Sequence, residues 1–540
     1  MISLISNTSN PVPIEAIKIA LPIGIGLASA AYLTLKAATN DGFSTDKTIP
    51  KASIRPGDAT HDAEFSEDQD AFLTRCEDEY GPVFNIYFMG KSLTVISGRQ
   101  TREVFMSEDF SMTDAIDEFT GMREYLFGIT KSNHDIDSRV IHEIVRDHIS
   151  PNLPLFAPRI VQELERNLEK ELGTCPKEEG GKLVENPMKI LQEMVASAMA
   201  VVFVGPEIAK SRKIIDTFIT AAIDFGQVLS LGNRRASFWR SLVSRTGYRA
   251  QNPLMPHVET LVEYSTPVIL ERRRLEAEAI EKGVEWKRPD DILQLLLDNS
   301  EKYNLVDLED VCGHLMIVIL AGVHTTTDTS TNLLYYLAAF PQYIGKLYEE
   351  QQQVLDAIQQ EREQQRQELR QKGEPVDESL DPAHDRDLTV TAINKMVHMD
   401  SFVREVFRYR TERLTLAHRA RRNVTLSSGI VISKGSNVII NMRSMHQSPE
   451  QGEDVTEFRP WRFVGKSKAA TKAGSDFLPF GMGRHACPGR FLAILELKTV
   501  SAMMISKYSK IEIQDPKKTM QALRATIGYP TCTGLTFTSR

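Results

Sequence analysis

A single cysteine in a glycine-rich, basic loop constrains this chain more than any other feature of its sequence. The loop reads FLPFGMGRHACPGRFLA over residues 477–493, and its second half turns at once into an apolar, helix-like segment. Such a stretch fits a structural turn, a nucleotide-binding loop or a metal-ligand loop. Each alternative requires different residues elsewhere in the chain, so the rest of the sequence decides among them.

The nucleotide and zinc alternatives lack the residues that they need. GMGRHA, at 481–486, matches the GxGxxA pattern, which requires a buried strand before it and an acidic residue about twenty positions later. The preceding segment, SDFLPF, contains Pro479 and is too short and polar for that strand. A structural zinc site needs about four ligands, and no second Cys/His pair lies near His485 and Cys487.

An axial thiolate to haem iron accounts for the whole loop. One cysteine suffices for that iron, because the porphyrin supplies the in-plane ligands. Gly483 and Gly489 let the backbone wrap around the sulfur, and a helix that begins near Pro488 directs its positive end towards it. Phe480 can exclude water from the loop. We therefore predict that Cys487 is an iron ligand.

These loop residues resemble the haem-binding signature of the cytochrome P450 superfamily. The matching positions are Phe480, Gly483, His485, Cys487 and Gly489, and His485 stands where many members have arginine. The resemblance implies that these residues bind haem and that Cys487 is its metal ligand. It covers about residues 65–540, and the loop is most similar to that of filamentous-fungal members.

Two further segments match the same family in the expected order. EVFR, from Glu405 to Arg408, is similar to the ExxR motif, and FRPWRF at 458–463 is similar to the segment that supplies a second arginine, here Arg462. The resemblance implies a buried network of these three residues that braces the haem-binding core. Such a buried charge cluster tolerates no missing partner.

A long apolar segment at 308–340 predicts a helix through the protein interior, ended by Pro341. Within it, AGVHTT at 321–326 resembles the family's oxygen-activation motif, which implies a groove at Ala321–Gly322 and catalytic roles for Thr325 and His324. The family usually has Asp or Glu at the latter position. The threonines here either bond to the preceding turn or mark a place where the helix loosens for a ligand.

A weaker match, HEIVR at 142–146, concerns the haem carboxylates. By resemblance, Arg146 stands where the family has an arginine that binds a haem propionate, and His142 replaces the usual tryptophan. Both residues are therefore expected to bind the cofactor.

The remaining periodicity predicts a mainly α fold with a minor β part. PVFNIYFMGKSLTVIS at 82–97 predicts a hairpin about a Gly90–Lys91 turn, helical patterns dominate from about 100 to 410, and strands return at 424–441. We expect a single large cytochrome P450-type haem domain at 66–540, with a charged insertion at 349–387. That insertion is predicted to begin as an exposed helix and to end as a loop without chemistry.

The amino terminus predicts attachment to a membrane. Residues 19–35 are uncharged and follow a tail at 1–18, and they fit a transmembrane anchor, an interfacial segment or a cleaved signal peptide. A polar linker at 36–65 leads to the domain. The positive charges Lys36, Lys47, Lys51 and Arg55 follow the segment and favour a cytosolic domain.

Charge and cysteine usage limit the function classes. A formal net charge of −8 gives no reason to expect nucleic acid as a partner. The five scattered cysteines contain no CxxC pair and fit a reducing compartment. With the anchor, this predicts a single-pass protein of the endoplasmic reticulum membrane whose catalytic domain faces the cytosol.

The resemblance implies a haem-thiolate monooxygenase that hydroxylates an apolar small molecule, such as a terpenoid or a steroid. No NADPH- or flavin-binding segment is evident, so electrons are expected from NADPH-cytochrome reductase, with cytochrome b5 as a possible second donor. Arg484, Arg490 and Lys498 are candidates for a partner-docking patch, or else ordinary surface and propionate-pairing charges. The alternatives are a haem-thiolate isomerase or dehydratase that uses no dioxygen, and a non-enzymatic haem sensor.

Overall fold

The computed structural model describes residues 49–88, 90–120, 126, 129–130, 139–173, 175, 177–178, 181–232, 252–376, 380–410, 413–517, 523 and 533–540. The predicted tail at 1–18 and anchor at 19–35 lie outside the described residues.

Helices dominate the described chain, as the sequence predicts. In chain order they are α1 Asp62–Glu67, α2 Gln69–Tyr80, α3 Gln100–Met106, α4 Met112–Thr120, α5 Arg139–Glu143, which continues into a π-helical turn Ile144–Ile149, α6 Leu153–Gly173, α7 Pro187–Phe203, α8 Pro206–Ala209, α9 Arg212–Gly232, α10 Met255–Lys282, α11 Ile292–Asp298, α12 Leu308–Ala339, α13 Ile344–Lys372, α14 Val390–Lys395, α15 Val397–Arg410, α16 Met442–His446 and α17 Arg490–Lys507.

The strands are short. They are β1 Val83–Phe88, β2 Lys91–Ile96, β3 Phe110–Ser111, β4 Lys177–Glu178, β5 Gly181–Val184, β6 Leu414–Ala420, β7 Val424–Thr425, β8 Val431–Ile432, β9 Asn437–Asn441, β10 Tyr508–Ile513 and β11 Leu535–Ser539. The predicted fold class, mainly α with a minor β part, is confirmed.

The chain divides into two compact units, and the smaller one holds the predicted hairpin. Of the described residues, it comprises those from 49 to 96 together with 419–439. Strands β1 and β2 pair antiparallel from Val83↔Ile96 to Phe88↔Lys91, and Gly90 takes the left-handed conformation (φ 74°) that the tight turn requires. The predicted strand region at 424–441 is also confirmed, because β7 pairs with β8 and β9 follows.

The described part of the predicted linker is packed rather than loose, which corrects the expectation for 36–65. Ile49 and Ala52 are buried, and the chain exchanges backbone hydrogen bonds with Asn85 of β1, from Ala52 N–H to its carbonyl and from its N–H to the Pro50 carbonyl. Helix α1 then begins at Asp62, inside the same segment. The apolar side chains in this polar stretch gain more by burial along the strand than by solvation.

Helix α12 is the central helix of the larger unit, which comprises 97–418 and 440–540. Asp307 caps its first turn by accepting the Asp310 N–H at 2.9 Å, and the helix ends before Pro341. It packs against α7, α10 and α17. Among the described residues it alone is long and apolar enough to cross a membrane, but more than half of its most apolar window is buried, as in a core helix.

A small antiparallel sheet lies in the same unit and has the strand order β10–β11–β5–β4. Strand β10 continues directly from α17, so the helix that begins behind the cysteine loop is anchored at its far end by a sheet. Strand β11 pairs antiparallel with β10, in the register Ile513↔Leu535 to Tyr508↔Ser539. Helix α17 is thereby fixed at both ends.

The charged segment predicted at 349–387 is a long helix followed by a loop that folds back on it. Helix α13 ends at Gly373, which is left-handed (φ 70°). Arg366 is buried and binds both carboxylate oxygens of Asp385, at 2.8 and 2.7 Å, and the Leu380 carbonyl at 2.9 Å. A bidentate ion pair therefore secures a segment that composition alone describes as solvated.

Candidate active site

The cysteine loop is shaped by its own backbone. The Phe480 carbonyl accepts the Cys487 N–H at 2.7 Å, and the Leu478 carbonyl accepts the Gly481 N–H at 2.8 Å. Gly481 is left-handed (φ 66°), and a Cβ there would lie 2.7 Å from the His485 carbonyl oxygen. The fold of the loop therefore requires glycine at this position, which the sequence motif does not specify.

The two glycines predicted to wrap the sulfur, Gly483 and Gly489, have different roles in the structure. Gly483 is left-handed (φ 61°) and begins a short 3-10 turn, where a Cβ would come within 3.0 Å of Met106 Sδ. Gly489 lies beside the sulfur, since a Cβ there would be 3.9 Å from Cys487 Sγ and 3.9 Å from Val145. The second contact also places the π-helical turn Ile144–Ile149 against the loop.

The Cys487 thiol is exposed on one side and meets polar donors on the other. The N–H groups of Gly489 and Arg490, at the start of α17, are directed to its sulfur. The protein around the thiol raises its pKa, whereas these N–H groups and the Arg490 charge lower it. Arg490 also donates to the Cys487 carbonyl at 2.8 Å and to Thr471 at 3.0 Å. The arrangement favours a thiolate once a cation lies on the open side.

Phe480, the predicted water-excluding residue, is half-buried against an aromatic group. Its ring centroid lies 5.3 Å from that of Phe407 on α15 and 6.4 Å from that of Phe477. Helix α15 therefore supports the loop through aromatic packing.

The predicted charge network forms in full. Arg408 donates to both Glu405 oxygens at 2.7 and 2.8 Å, and Arg462 Nε lies 3.2 Å from each of them. All three side chains are buried. The arginines also donate to backbone carbonyls of the segment before FRPWRF, at Glu453, Asp454, Val455 and Glu457. Through the two arginines that it binds, the Glu405 carboxylate thus orders residues 453–457, which form no helix or strand.

The threonine-rich part of α12 is helical throughout. Thr325 donates to the Ala321 carbonyl at 2.8 Å, and Thr327, Thr329 and Thr331 make the equivalent bond four residues back. The hypothesis that the helix loosens here is therefore wrong, and back-bonding to the preceding turn is what the structure shows. Ala321 and Thr325 are nevertheless exposed and His324 is half-buried, on a helix whose other faces are buried.

His142 and Arg146 lie on α5 and the π-helical turn, beside the cysteine loop. Ser150, just after that turn, donates to the Pro488 carbonyl at 3.1 Å. His142 is half-buried, and burial together with the nearby Arg146 charge lowers its pKa. Arg146 is exposed and pairs with Asp147 at 2.6 Å. The structure thus brings both residues near the loop, with the arginine engaged by its neighbour.

His485 contacts a histidine that the sequence did not single out. Its ring lies 5.6 Å from that of His418, which is fully buried and whose Nδ1 bonds the Leu416 carbonyl at 2.7 Å. No hydrogen-bond partner for His418 Nε2 is found in the described part of the chain. Burial and the positive charge of Arg484 lower the His418 pKa to about 4. A lone histidine in a short strand gives no sequence signal for such a site.

The predicted docking patch does not form as a set. Lys498 is buried on α17 with its Nζ 3.3 Å from Asp400, so it cannot meet a partner. Residues 494–505 of α17 are all buried, so the helix has no solvent-facing side at this position, and the ion pair with Asp400 makes burial of the charge tolerable. Arg484 keeps an exposed side chain, although it donates to the Ser107 carbonyl at 2.9 Å.

Helix α17 carries one acidic group that no sequence pattern marks. Glu496 is fully buried, and within the described residues neither of its carboxylate oxygens has a hydrogen-bond partner. Burial raises its pKa well above the usual range, which favours the neutral acid over the carboxylate in the folded protein.

Glu496→Gln should become more stable than the parent as the pH rises from 5 to 8. The unfolded carboxyl loses its proton above about pH 4.3, so parent stability falls with pH, by up to ~1.4 kcal/mol per unit, until the raised folded pKa is reached. Glutamine removes this term. Melting temperatures across that range measure it, with the exposed Glu512→Gln as control. Parallel curves for Glu496→Gln and parent would show that Glu496 is ionised when folded.

The residues around Cys487 fit a haem. The single exposed thiol, met by two backbone N–H groups, suits an iron whose other ligands come from a porphyrin. The sulfur is exposed, and the half-buried His485 beside it offers a polar group for a carboxylate.

Comparison with known proteins agrees with this site. The family model for cytochrome P450 matches residues 61–531. Similar curated proteins include cytochrome P450 monooxygenase paxP of Penicillium paxilli, 26% identical over 380 residues that cover 69% of this chain and 67% of the relative. Cytochrome P450 monooxygenase 151 of Postia placenta is 25% identical over 473 residues, covering 84% and 85%. Cytochrome P450 monooxygenase efuH of Hormonema carpetanum is 28% identical over 407 residues, covering 71% and 66%.

Proposed function

Because the chain belongs to the cytochrome P450 family, we propose that it is a haem monooxygenase of fungal secondary metabolism that hydroxylates a hydrophobic small molecule with dioxygen. The observation that carries this proposal is the Cys487 thiol, open on one side and met by the N–H groups of Gly489 and Arg490. The relatives are named as cytochrome P450 monooxygenases, and their sources include the fungi Penicillium paxilli and Aspergillus flavus.

Cys487 would hold the haem iron, and the residues of its loop would shield the sulfur. When bound, a haem with a thiolate ligand activates dioxygen with two electrons and delivers one oxygen atom to a C–H bond. His485, His142 and Arg146 would hold the haem carboxylates. Gly483, Gly489 and Phe480 shape the loop that excludes water from the sulfur.

On the other side of the site, α12 would present Ala321 and Thr325 to the substrate. The Thr325 hydroxyl already donates to the Ala321 carbonyl at 2.8 Å and its side chain is exposed, so its oxygen lone pairs remain able to accept a hydrogen bond. Rotation of this hydroxyl lets it hold a proton at Oγ1 and pass it on. His324, next to it and half-buried, is proposed to orient water for the same proton transfer.

We further propose that electrons come from NADPH through a separate reductase, with cytochrome b5 as a possible donor. The substrate is proposed to be a terpenoid, steroid or similar apolar metabolite. Residues 19–35 would anchor the protein in the endoplasmic reticulum membrane as a single span, with residues 66–540 in the cytosol. The uncharged segment and the positive charges that follow it support this orientation.

The activity is tested with purified protein, a fungal NADPH-cytochrome reductase and a panel of apolar metabolites. Substrates are first found by the shift that they cause in the haem spectrum. A monooxygenase consumes NADPH in proportion to product and incorporates one atom of labelled dioxygen into it. Conversion without dioxygen would favour the isomerase or dehydratase alternative. Spectral binding without any conversion, for every compound that binds, would favour a haem sensor.

Thr325→Ala should keep haem binding but lose ~100- to 1,000-fold in product formation rate. Its hydroxyl bonds within α12 and supports no contact of the cysteine loop, whereas loss of one positioned proton donor slows the reaction and releases electrons as hydrogen peroxide. Peroxide and product are measured together per NADPH. Thr329→Ala, which loses the equivalent back-bond one turn later, is the control. If Thr325→Ala forms as much product per NADPH as the parent, Thr325 has no role in proton transfer and only contributes a back-bond to α12.

A further inference from the structure

His446, the last residue of α16, lies between the buried charge network and the cysteine loop. It is fully buried. Its backbone carbonyl accepts a hydrogen bond from Arg408 Nη1 at 3.1 Å, and its Nε2 accepts the Leu478 N–H at 3.0 Å. One residue thus contacts the network through its main chain and the loop through its ring.

The Nε2 atom of the His446 ring serves as a hydrogen-bond acceptor. Because this nitrogen accepts a backbone N–H, the proton of the neutral ring must be on Nδ1. Burial and the charges of Arg408 and Arg404 lower the His446 pKa to about 3, so the ring stays neutral where the protein is folded. The bond to Leu478 is therefore present throughout the working pH range.

Phe477, at the start of the loop, packs between the His446 ring and the Arg404 guanidinium. The His446 ring stacks on it with centroids 5.9 Å apart and an interplanar angle of 26°. The Arg404 guanidinium lies 3.9 Å from the centre of the Phe477 ring. Arg404 is itself buried and donates to the carbonyls of Ala469 and Lys472. The residues before the cysteine are thus fixed by stacking as well as by a hydrogen bond.

From Leu478 the contacts continue to the cysteine. Its carbonyl accepts the N–H of Gly481, whose left-handed conformation turns the loop, and the carbonyl of Phe480 accepts the N–H of Cys487 at 2.7 Å. Each step is a backbone hydrogen bond within the loop. A change at the Leu478 N–H therefore reaches the position of the sulfur through three residues.

We propose that His446 is a positioning residue that couples the Glu405–Arg408–Arg462 network to the cysteine loop and so maintains the iron–sulfur bond. This inference rests on the proposed function, since it takes Cys487 as the iron ligand. The required chemistry is a neutral acceptor at the position of Nε2. Packing alone would be satisfied by any aromatic ring that stacks on Phe477.

The test compares His446→Phe with His446→Gln. Phenylalanine keeps the stack but leaves the Leu478 N–H without an acceptor, whereas the glutamine Oε1 can reach the position of Nε2. The readout is the rate at which the reduced carbon monoxide complex loses its thiolate-type Soret band under mild warming. We expect His446→Phe to lose it about tenfold to a hundredfold faster than the parent, and His446→Gln to stay within about threefold.

Leu164→Ala is the control for general destabilisation. Leu164 is fully buried in α6, and its loss should lower the melting temperature without speeding the loss of the thiolate band at a matched distance below melting. If His446→Phe does not fold, His446→Asn takes its place, because its shorter side chain cannot reach Leu478. The ferric–ferrous potential, measured on the same samples, should shift only in the variants that lack the acceptor.

The outcomes separate this inference from the proposed function. A parent protein without any thiolate band would overturn both. A parent with the band, together with a parent-like rate in His446→Phe, would overturn the positioning role alone. Equal acceleration in His446→Phe, His446→Gln and Leu164→Ala would show that His446 only fills the core.

Discussion

Cys487→Ala should abolish the thiolate-type absorption of the reduced carbon monoxide complex. Among the cysteines that the structure describes, Cys487 is the exposed one, and its sulfur meets the N–H groups of Gly489 and Arg490. Alanine removes the sulfur but leaves the loop backbone intact, because the Cys487 N–H still donates to the Phe480 carbonyl. The expected effect is complete loss of the band and a strong loss of bound haem.

The control for this substitution is Cys175→Ala, at a half-buried cysteine on the chain after α6. Cys76 and Cys312 are buried, and burial raises their pKa to about 11 and about 12. Circular dichroism and gel filtration establish that Cys487→Ala is folded. If folded Cys487→Ala retains the thiolate band, another cysteine binds the iron and the assignment of the loop is wrong.

Glu405→Ala should give almost no folded, haem-loaded protein. Removing the carboxylate leaves the Arg408 and Arg462 guanidinium groups buried and facing each other, at a cost of about 3–5 kcal/mol. That is a large part of the stability of a typical domain. The same change frees the Arg459 N–H, which donates to Glu405 Oε1 at 2.8 Å, and loosens the segment that ends at Phe463.

Soluble yield, melting temperature and haem per chain measure this effect. Glu457→Ala is the matched control, because its carboxylate is exposed and only its backbone carbonyl serves the arginines. We expect that control to change stability by less than about 0.5 kcal/mol. Glu405→Gln should fall between the two. Parent-like yield and haem content in Glu405→Ala would contradict a bracing role for the network.

Several features of the fold follow from short-range rules and were predicted correctly. The β1–β2 hairpin depends on strand residues that flank Gly90, and the Glu405–Arg408 pair depends on helical i,i+3 spacing. The order of the haem loop and its following helix depends on glycines and a proline within a few residues of Cys487. Neighbouring residues determine such features, so a single sequence carries them.

Other features were wrong or missed because distant residues decide them. The sequence predicts a surface position for Lys498, but Asp400 neutralises it inside the core. His418 and His446 carry no local pattern, and their positions beside His485 and Leu478 arise only when separate segments fold together. The helical state of the threonine segment was decided by back-bonding and by the packing around α12.

The sequence by itself determined the family, the thiolate loop and the three residues of the charge network, since each of these depends on residue type at fixed spacing. The tertiary structure alone decided which charges are buried and which side chains support the loop. Glu496 and His446 are the clearest examples, because a carboxylate or an imidazole becomes a neutral acid or a fixed acceptor only when the surrounding chain removes water from it.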